Sequence, residues 1–150
     1  MSRNLMSWRT IKGLAWAGMT LALYDYLSRL LGLPLFCPFA GDGCDIVQNS
    51  PYAILFGIPL ALLGVFGFGA YLVLAHLGAR SGPDVRWPLM ALLGLNLVEI
   101  GAMAYFIYLE LAVIHAVCSL CMISAAINLS LTLAILRGVV RLRAEPASPT

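Results

Sequence analysis

The chain has 150 residues, of which 61% are hydrophobic and only 11% charged, with a formal net charge of +2 and four cysteines. Such a composition is far more apolar than that of ordinary globular proteins, and the length allows one domain, read over residues 1–143 with a short tail at 144–150. The small charge, with no basic run interleaved with aromatics, excludes nucleic-acid binding.

Apolar runs of roughly 20 residues or more match what a helix needs to cross about 30 Å of hydrocarbon, and they are too long for buried strands. In lipid the backbone must satisfy itself within each segment. The expected fold class is therefore all-α integral membrane: a four-transmembrane-helix bundle with a short surface helix after the first non-cytoplasmic loop.

The first span is predicted from about Ile11 to Leu33. A basic start before an apolar stretch is also the pattern of a secretory leader. This run is longer than a leader's apolar region, contains Asp25 and Arg29, and is followed by no small-x-small cleavage site, so the span is expected to remain. Asp25 and Arg29 stand four apart on one helix face and are read as a local ion pair near the interface, without chemistry.

Cys37 and Cys44 then bracket the six residues from Pro38 to Gly43. So short a loop can close as a disulfide or open, and Gly41 and Gly43 let it reshape as a partner changes. Downstream, Ile46 and Val47 stand among polar neighbours in a segment too short to span, which fits a small helix on the membrane surface. Ser50 followed by Pro51 reads as a helix start, in which the serine hydroxyl either caps free N–H groups or turns toward the cysteines.

The second span is predicted from about Tyr52 to Leu77, kinked at Pro59. Gly64, Gly67 and Gly69 within it indicate close helix packing. The third span, from about Trp87 to Tyr108, carries Glu99 near its middle. An ionisable group there is costly, so Glu99 is either a proton donor or a hydrogen-bonded structural group. Tyr52, Phe56 and Phe106 are candidates to line a flat ring's pocket, as is Met122 beside the last cysteine.

The fourth span, from about Cys118 to Leu136, opens on Cys118-Ser-Leu-Cys121. Spacing of three puts both sulfurs on one helix face. Unpaired N–H groups at the helix start favour a thiolate at Cys118, which should be the sulfur attacked by an incoming thiol. Cys121 lies one turn deeper, near the hydrocarbon boundary, where its thiolate can meet a quinone ring. His115, three residues before Cys118, is a candidate to stabilise that thiolate. The segment from Ala144 to Thr150 reads as a disordered tail.

Four spans place both termini on one side of the membrane. Eight of the nine Lys and Arg residues lie in the two tails or the Gly78 to Arg86 loop, and Arg29 is the exception. The positive-inside rule makes that face cytoplasmic and puts both cysteine pairs in the opposite, disulfide-permissive compartment. A thiol pair beside a hydrocarbon phase can pass reducing equivalents between a water-phase protein and a lipid-soluble carrier. The competing readings are a static staple in a non-catalytic membrane scaffold, or a four-cysteine zinc site; an oxidising face argues against the metal.

The order of motifs is Cys-x6-Cys at Cys37 and Cys44, Val-x-x-Ser-x-Tyr at Val47, Ser50 and Tyr52, Phe-Gly-Ile-Pro-Leu at Phe56 to Leu60, and Tyr-Leu-Glu at Tyr108 to Glu110 before Cys-Ser-Leu-Cys. Taken together this order resembles the vitamin K epoxide reductase family, particularly its bacterial members, across all four helices. The resemblance implies a quinone held near the non-cytoplasmic face. It implies that a reduced thioredoxin-like protein attacks Cys37, that Cys44 forms a mixed disulfide with Cys118, and that Cys121 faces the quinone, with Ser50, Tyr52, Phe56, Phe106 and Met122 as candidate quinone-binding residues.

Animal members carry an asparagine in the second span and a tyrosine four residues past the last cysteine, where this chain has Ala53 and Ala125. That difference favours ubiquinone or menaquinone over the epoxide as acceptor. No thioredoxin-like domain is fused in this sequence, so the partner is expected in trans, in the periplasm of a bacterium or the lumen of an organelle. The alternative within the resemblance is an enzyme whose main product is hydroquinone.

Overall fold

The computed structural model describes residues 2–39 and 41–144. Its elements in chain order are α1 (Ser2–Leu31), α2 (Gly43–Gln48), a 3-10 turn (Pro51–Ala53), a two-residue hairpin of β1 (Ile54–Leu55) and β2 (Ile58–Pro59), α3 (Leu60–Arg80), a second 3-10 turn (Gly82–Asp84), α4 (Arg86–Leu109), a wide π-type turn (Glu110–Ile114) and α5 (Ser119–Ala144). The strongest packings run α1 on α3, α3 on α4, α4 on α5 and α5 on α1, so α1 and α4 face each other across the bundle.

Three of the helices are long and apolar enough to cross a membrane: α3, α4 with the turn after it, and α5. The 30-residue α1 has the length, but Arg9, Lys12, Asp25 and Arg29 dilute its hydropathy. Its buried positions, Trp8, Ile11, Ala15, Gly18, Ala22, Asp25 and Ser28, recur at steps of three or four, a single stripe facing the bundle. The opposite face shows Trp16, Leu23 and Leu27 to the outside.

Lipid tails are as apolar as leucine, so helices associate in a membrane through close packing and interhelical hydrogen bonds. Both are present. A Cβ on Gly18 would overlap the Phe68 ring, one on Gly78 would overlap Trp8, and one on Gly67 would strike Glu99. The expected close packing thus holds at Gly64, where an added Cβ would come to 3.3 Å from that of Ala22, and at Gly67, whereas Gly69 faces open space. The hydrogen bonds centre on Asn96 of α4, fully buried. Its Nδ2 donates to the Tyr71 hydroxyl at 3.0 Å and to Asn128 Oδ1 at 3.3 Å, and its Oδ1 accepts from Thr132 Oγ1 at 2.9 Å. Asn128 Nδ2 donates onward to Glu99 Oε2 at 3.0 Å, which ties α3, α4 and α5 at mid-bundle.

Three local expectations change. The helix of the second span starts at Leu60, not at Tyr52, because Phe56 and Gly57 take left-handed conformations with φ of 52° and 81° that fold residues 54–59 into the hairpin. Pro59 consequently precedes α3 and kinks nothing. Ser50 does precede the turn at Pro51, but its hydroxyl donates backward to the Val47 carbonyl at 2.6 Å and caps nothing. Asp25 and Arg29 form no direct ion pair. Gln48 stands between them, donating to Asp25 Oδ2 at 2.6 Å and accepting from Arg29 Nη1 at 3.5 Å. Of the predicted tail, Ala144 ends α5, and 145–150 lie outside the described residues.

Candidate functional site

Both cysteine pairs lie at the end of the bundle where α1 ends and α5 begins. After α1, residues 32–39 turn back toward α2. The Phe36 N–H donates to the Tyr24 hydroxyl at 3.2 Å and the Leu35 N–H to Asp45 Oδ1 at 3.4 Å, fastening the loop to α1 and α2. Cys37 and Cys44 are joined as a disulfide, with Cα atoms 5.9 Å apart. Cys44 is completely buried in the first turn of α2, while Cys37 remains partly accessible.

Cys118 and Cys121 are free thiols. Cys118 immediately precedes α5, and its sulfur accepts the Cys121 N–H at 3.3 Å, as an N-cap side chain does. Its carbonyl accepts the Met122 N–H at 3.0 Å, the first bond of the helix. The thiol is held below its ordinary pKa chiefly by its hydrogen bond with Cys121, against burial and the nearby carboxyls of Glu110 and Asp25, which push it up.

The two pairs share one small apolar cluster. Leu35, Cys44, Val47, Cys118 and Leu120 are its buried members, with Cys37 and Cys121 packed against it. Ser119, between the two cysteines of the motif, donates its hydroxyl to Cys37 Sγ at 3.4 Å. The disulfide of one pair is thereby docked against the helix start of the other.

Cys121 also forms part of the wall of a cavity of about 220 Å³ inside the bundle. The rest of the wall is mostly aliphatic and aromatic, including Leu21, Ala61, Phe68, Met103 and Phe106, with polar groups from Asp25, Gln48, Glu99, Ser124 and Asn128. Few polar groups in an apolar chamber are the usual make-up of a small-molecule site. Its volume is below the ~300 Å³ where pockets for drug-sized ligands begin, so it suits a small ring-sized group.

The residues named from sequence as ring-binding are distributed as follows. Phe106 lines the cavity. Met122 follows Cys121 but is not among the lining residues, and Ser50 is engaged with Val47. Tyr52 is half exposed and Phe56 is 95% exposed at the tip of the hairpin. Glu99, flagged by its place in the third span, does reach the cavity. His115 takes the left-handed conformation that ends the π-type turn, with Nδ1 3.1 Å from the Leu111 carbonyl.

Glu110 enters the sequence reading only as the end of the Tyr-Leu-Glu motif, without a role. It is only 2% exposed, and its Oε2 accepts the Cys118 N–H at 3.1 Å. The available signal was an acidic residue at the end of an apolar run, eight residues before a reactive cysteine. Asp25, read from sequence as half of a local ion pair, falls on the buried stripe of α1 and reaches the cavity.

Residues 9–136 match the model of the vitamin K epoxide reductase family. The chain belongs to that family. It is also similar to the thiol-disulfide oxidoreductase LTO1 of Arabidopsis thaliana, at 35% identity over 115 residues. The match covers 73% of this chain and 30% of that relative, so the chain spans about a third of the plant protein's length.

Proposed function

We propose that this vitamin K epoxide reductase family member is a membrane thiol oxidase that reoxidises a thioredoxin-like protein and delivers the electrons to a quinone, supporting disulfide formation. The observation that carries the reading is the double placement of Cys121, which packs in the cluster that holds Cys44 and Cys118 and also walls the cavity. A lipid-soluble acceptor in that cavity would touch the last sulfur of a continuous thiol path.

Each residue then has a defined task. Cys37, the accessible member of its pair, takes the partner's thiolate, which releases Cys44 as the leaving thiolate. Cys44 attacks Cys118 when the inner pair is a disulfide, giving a Cys44–Cys118 mixed disulfide and freeing Cys121. The partner's second thiol attacks the partner–Cys37 disulfide, which releases the oxidised partner and frees Cys37; attack of Cys37 on Cys44 then releases Cys118, so two electrons have moved inward and the outer disulfide is restored. The inner thiols then lose two electrons and two protons as the Cys118–Cys121 disulfide forms, and a bound quinone supplies the matching sink by becoming hydroquinone. Among the four cysteines, Cys121 is the one set in the mostly apolar cavity wall.

Phe106 is proposed to pack against the ring. Tyr52, Phe56, Ser50 and Met122 are proposed to act outside the cavity wall, along the tail's exit or the loop that must move. The four-span bundle is supported by α1, whose stripe follows α3 and α5 while its outer face is apolar. Arg9 and Lys12 near its start, with Arg137, Arg141 and Arg143 near the end of α5, support an orientation with both termini cytoplasmic and the cysteines in the periplasm or a lumen. The short α2 would then lie at the membrane surface.

The test is reconstitution in quinone-containing vesicles. Added thioredoxin-like dithiol protein should become oxidised by the intact chain, and Cys44→Ser should abolish the reaction. Equal oxidation by that variant would overturn the relay.

A further inference from the structure

The cavity wall contains a buried polar atom without a partner. Asp25 is 9% exposed; its Oδ2 accepts from Gln48 at 2.6 Å, but its Oδ1 has no hydrogen-bond partner. A buried carboxyl oxygen left unpaired is costly, so its retention calls for a partner that arrives with a ligand. Glu99 reaches the same cavity from α4, the helix that faces α1 across the bundle, and it is oriented by Asn128 at 3.0 Å and given room by Gly67.

We infer that the cavity holds a ring with oxygens at its two ends, a 1,4-quinone and its hydroquinone, between Asp25 on α1 and Glu99 on α4. This inference rests on the function proposed above and names the groups that recognise the acceptor. A 1,4-dione presents two oxygens pointing in opposite directions, which suits two carboxyl groups from facing helices. It also accounts for Ala53 and Ala125, because the polar contacts come from elsewhere in the bundle.

Asp25 has a second role by the same geometry. Through Gln48 it is connected to α2, the helix that carries Cys44. A protonated Asp25 gives its proton to the nearer ring oxygen as the inner thiols are oxidised and takes back one of the two protons that Cys118 and Cys121 release, while the other reaches the far ring oxygen by way of Glu99. The net change remains one dithiol and one quinone converted to one disulfide and one hydroquinone.

The experiment uses the full chain in detergent with a short-tailed 1,4-benzoquinone, following equilibrium binding, the carbonyl stretching band of the bound ring, and single-turnover reduction. Asp25→Ala should weaken binding about tenfold, the loss of one hydrogen bond from its protonated carboxyl, and return one carbonyl band toward its position in free detergent. Asp25→Asn keeps a hydrogen-bond donor and the contact to Gln48, so binding should hold within about threefold. Its reduction rate should fall about 100-fold for want of an acid. Binding and both bands unchanged in Asp25→Ala would overturn the inference while leaving the thiol-to-quinone reading intact. Absence of quinone binding by the unsubstituted chain would overturn both.

Discussion

Glu110 accepts the backbone N–H of Cys118 at 3.1 Å, and both residues are buried, at 2% and 0% exposure. A carboxyl at the end of α4 thus fixes the residue that starts α5, across the turn that separates them. Removing the acceptor leaves a buried N–H without a partner, which costs about 1–3 kcal/mol. Glu110→Ala should therefore lose that much stability in detergent unfolding, and Glu110→Gln, which keeps an acceptor oxygen, should lose less than half of it. Equal losses would mean that the hydrogen bond is not what matters.

The relay requires Cys44 and Cys118 to meet. Substituting Cys37 or Cys121 by serine removes the thiol that would resolve the intermediate, so a Cys44–Cys118 disulfide should accumulate. Non-reducing peptide mapping reads it directly. Recovery of Cys44 and Cys118 as separate thiols in both variants would support static pairs in a scaffold.

What was legible in the sequence divides along physical lines. Long apolar runs gave α4 almost to the residue, since hydropathy reports lipid contact and little else competes there. The cysteine pairs were legible because spacing and chemistry coincide. The hairpin of residues 54–59 was hidden inside a continuously apolar stretch, where nothing in hydropathy reveals a left-handed Phe56. The Asp25–Gln48–Arg29 bridge was hidden for another reason. It joins residues 23 apart in sequence, and only the folding of α2 onto α1 brings the amide between the charges.

Close helix approach at glycine gives a graded prediction. Gly18→Ala and Gly78→Ala place a methyl group into the rings of Phe68 and Trp8, while Gly69→Ala meets nothing within 4 Å. The first two should destabilise by about 1–3 kcal/mol through overpacking, and the third should be close to neutral. Thermal unfolding of the three proteins in one detergent makes the comparison, and a Gly69 variant as damaged as the others would contradict this packing.

The amide network at Asn96 predicts coupling between helices. Asn96→Leu withdraws partners from Tyr71, Asn128 and Thr132 together, and each interhelical bond in a membrane is worth about 0.6 and at most about 1.7 kcal/mol. A double-mutant cycle of Asn96→Leu with Tyr71→Phe should show a coupling of about 0.5–1.5 kcal/mol. Strict additivity would exclude the Asn96–Tyr71 bond as a contributor.

The most direct test of the thiol-to-quinone path is the absorbance of a quinone mixed with fully reduced, purified protein. One equivalent of hydroquinone should form for each Cys118–Cys121 pair oxidised, and none with Cys121→Ala. Undiminished reduction by Cys121→Ala, or no reduction of several quinones by the unsubstituted protein, would contradict the account.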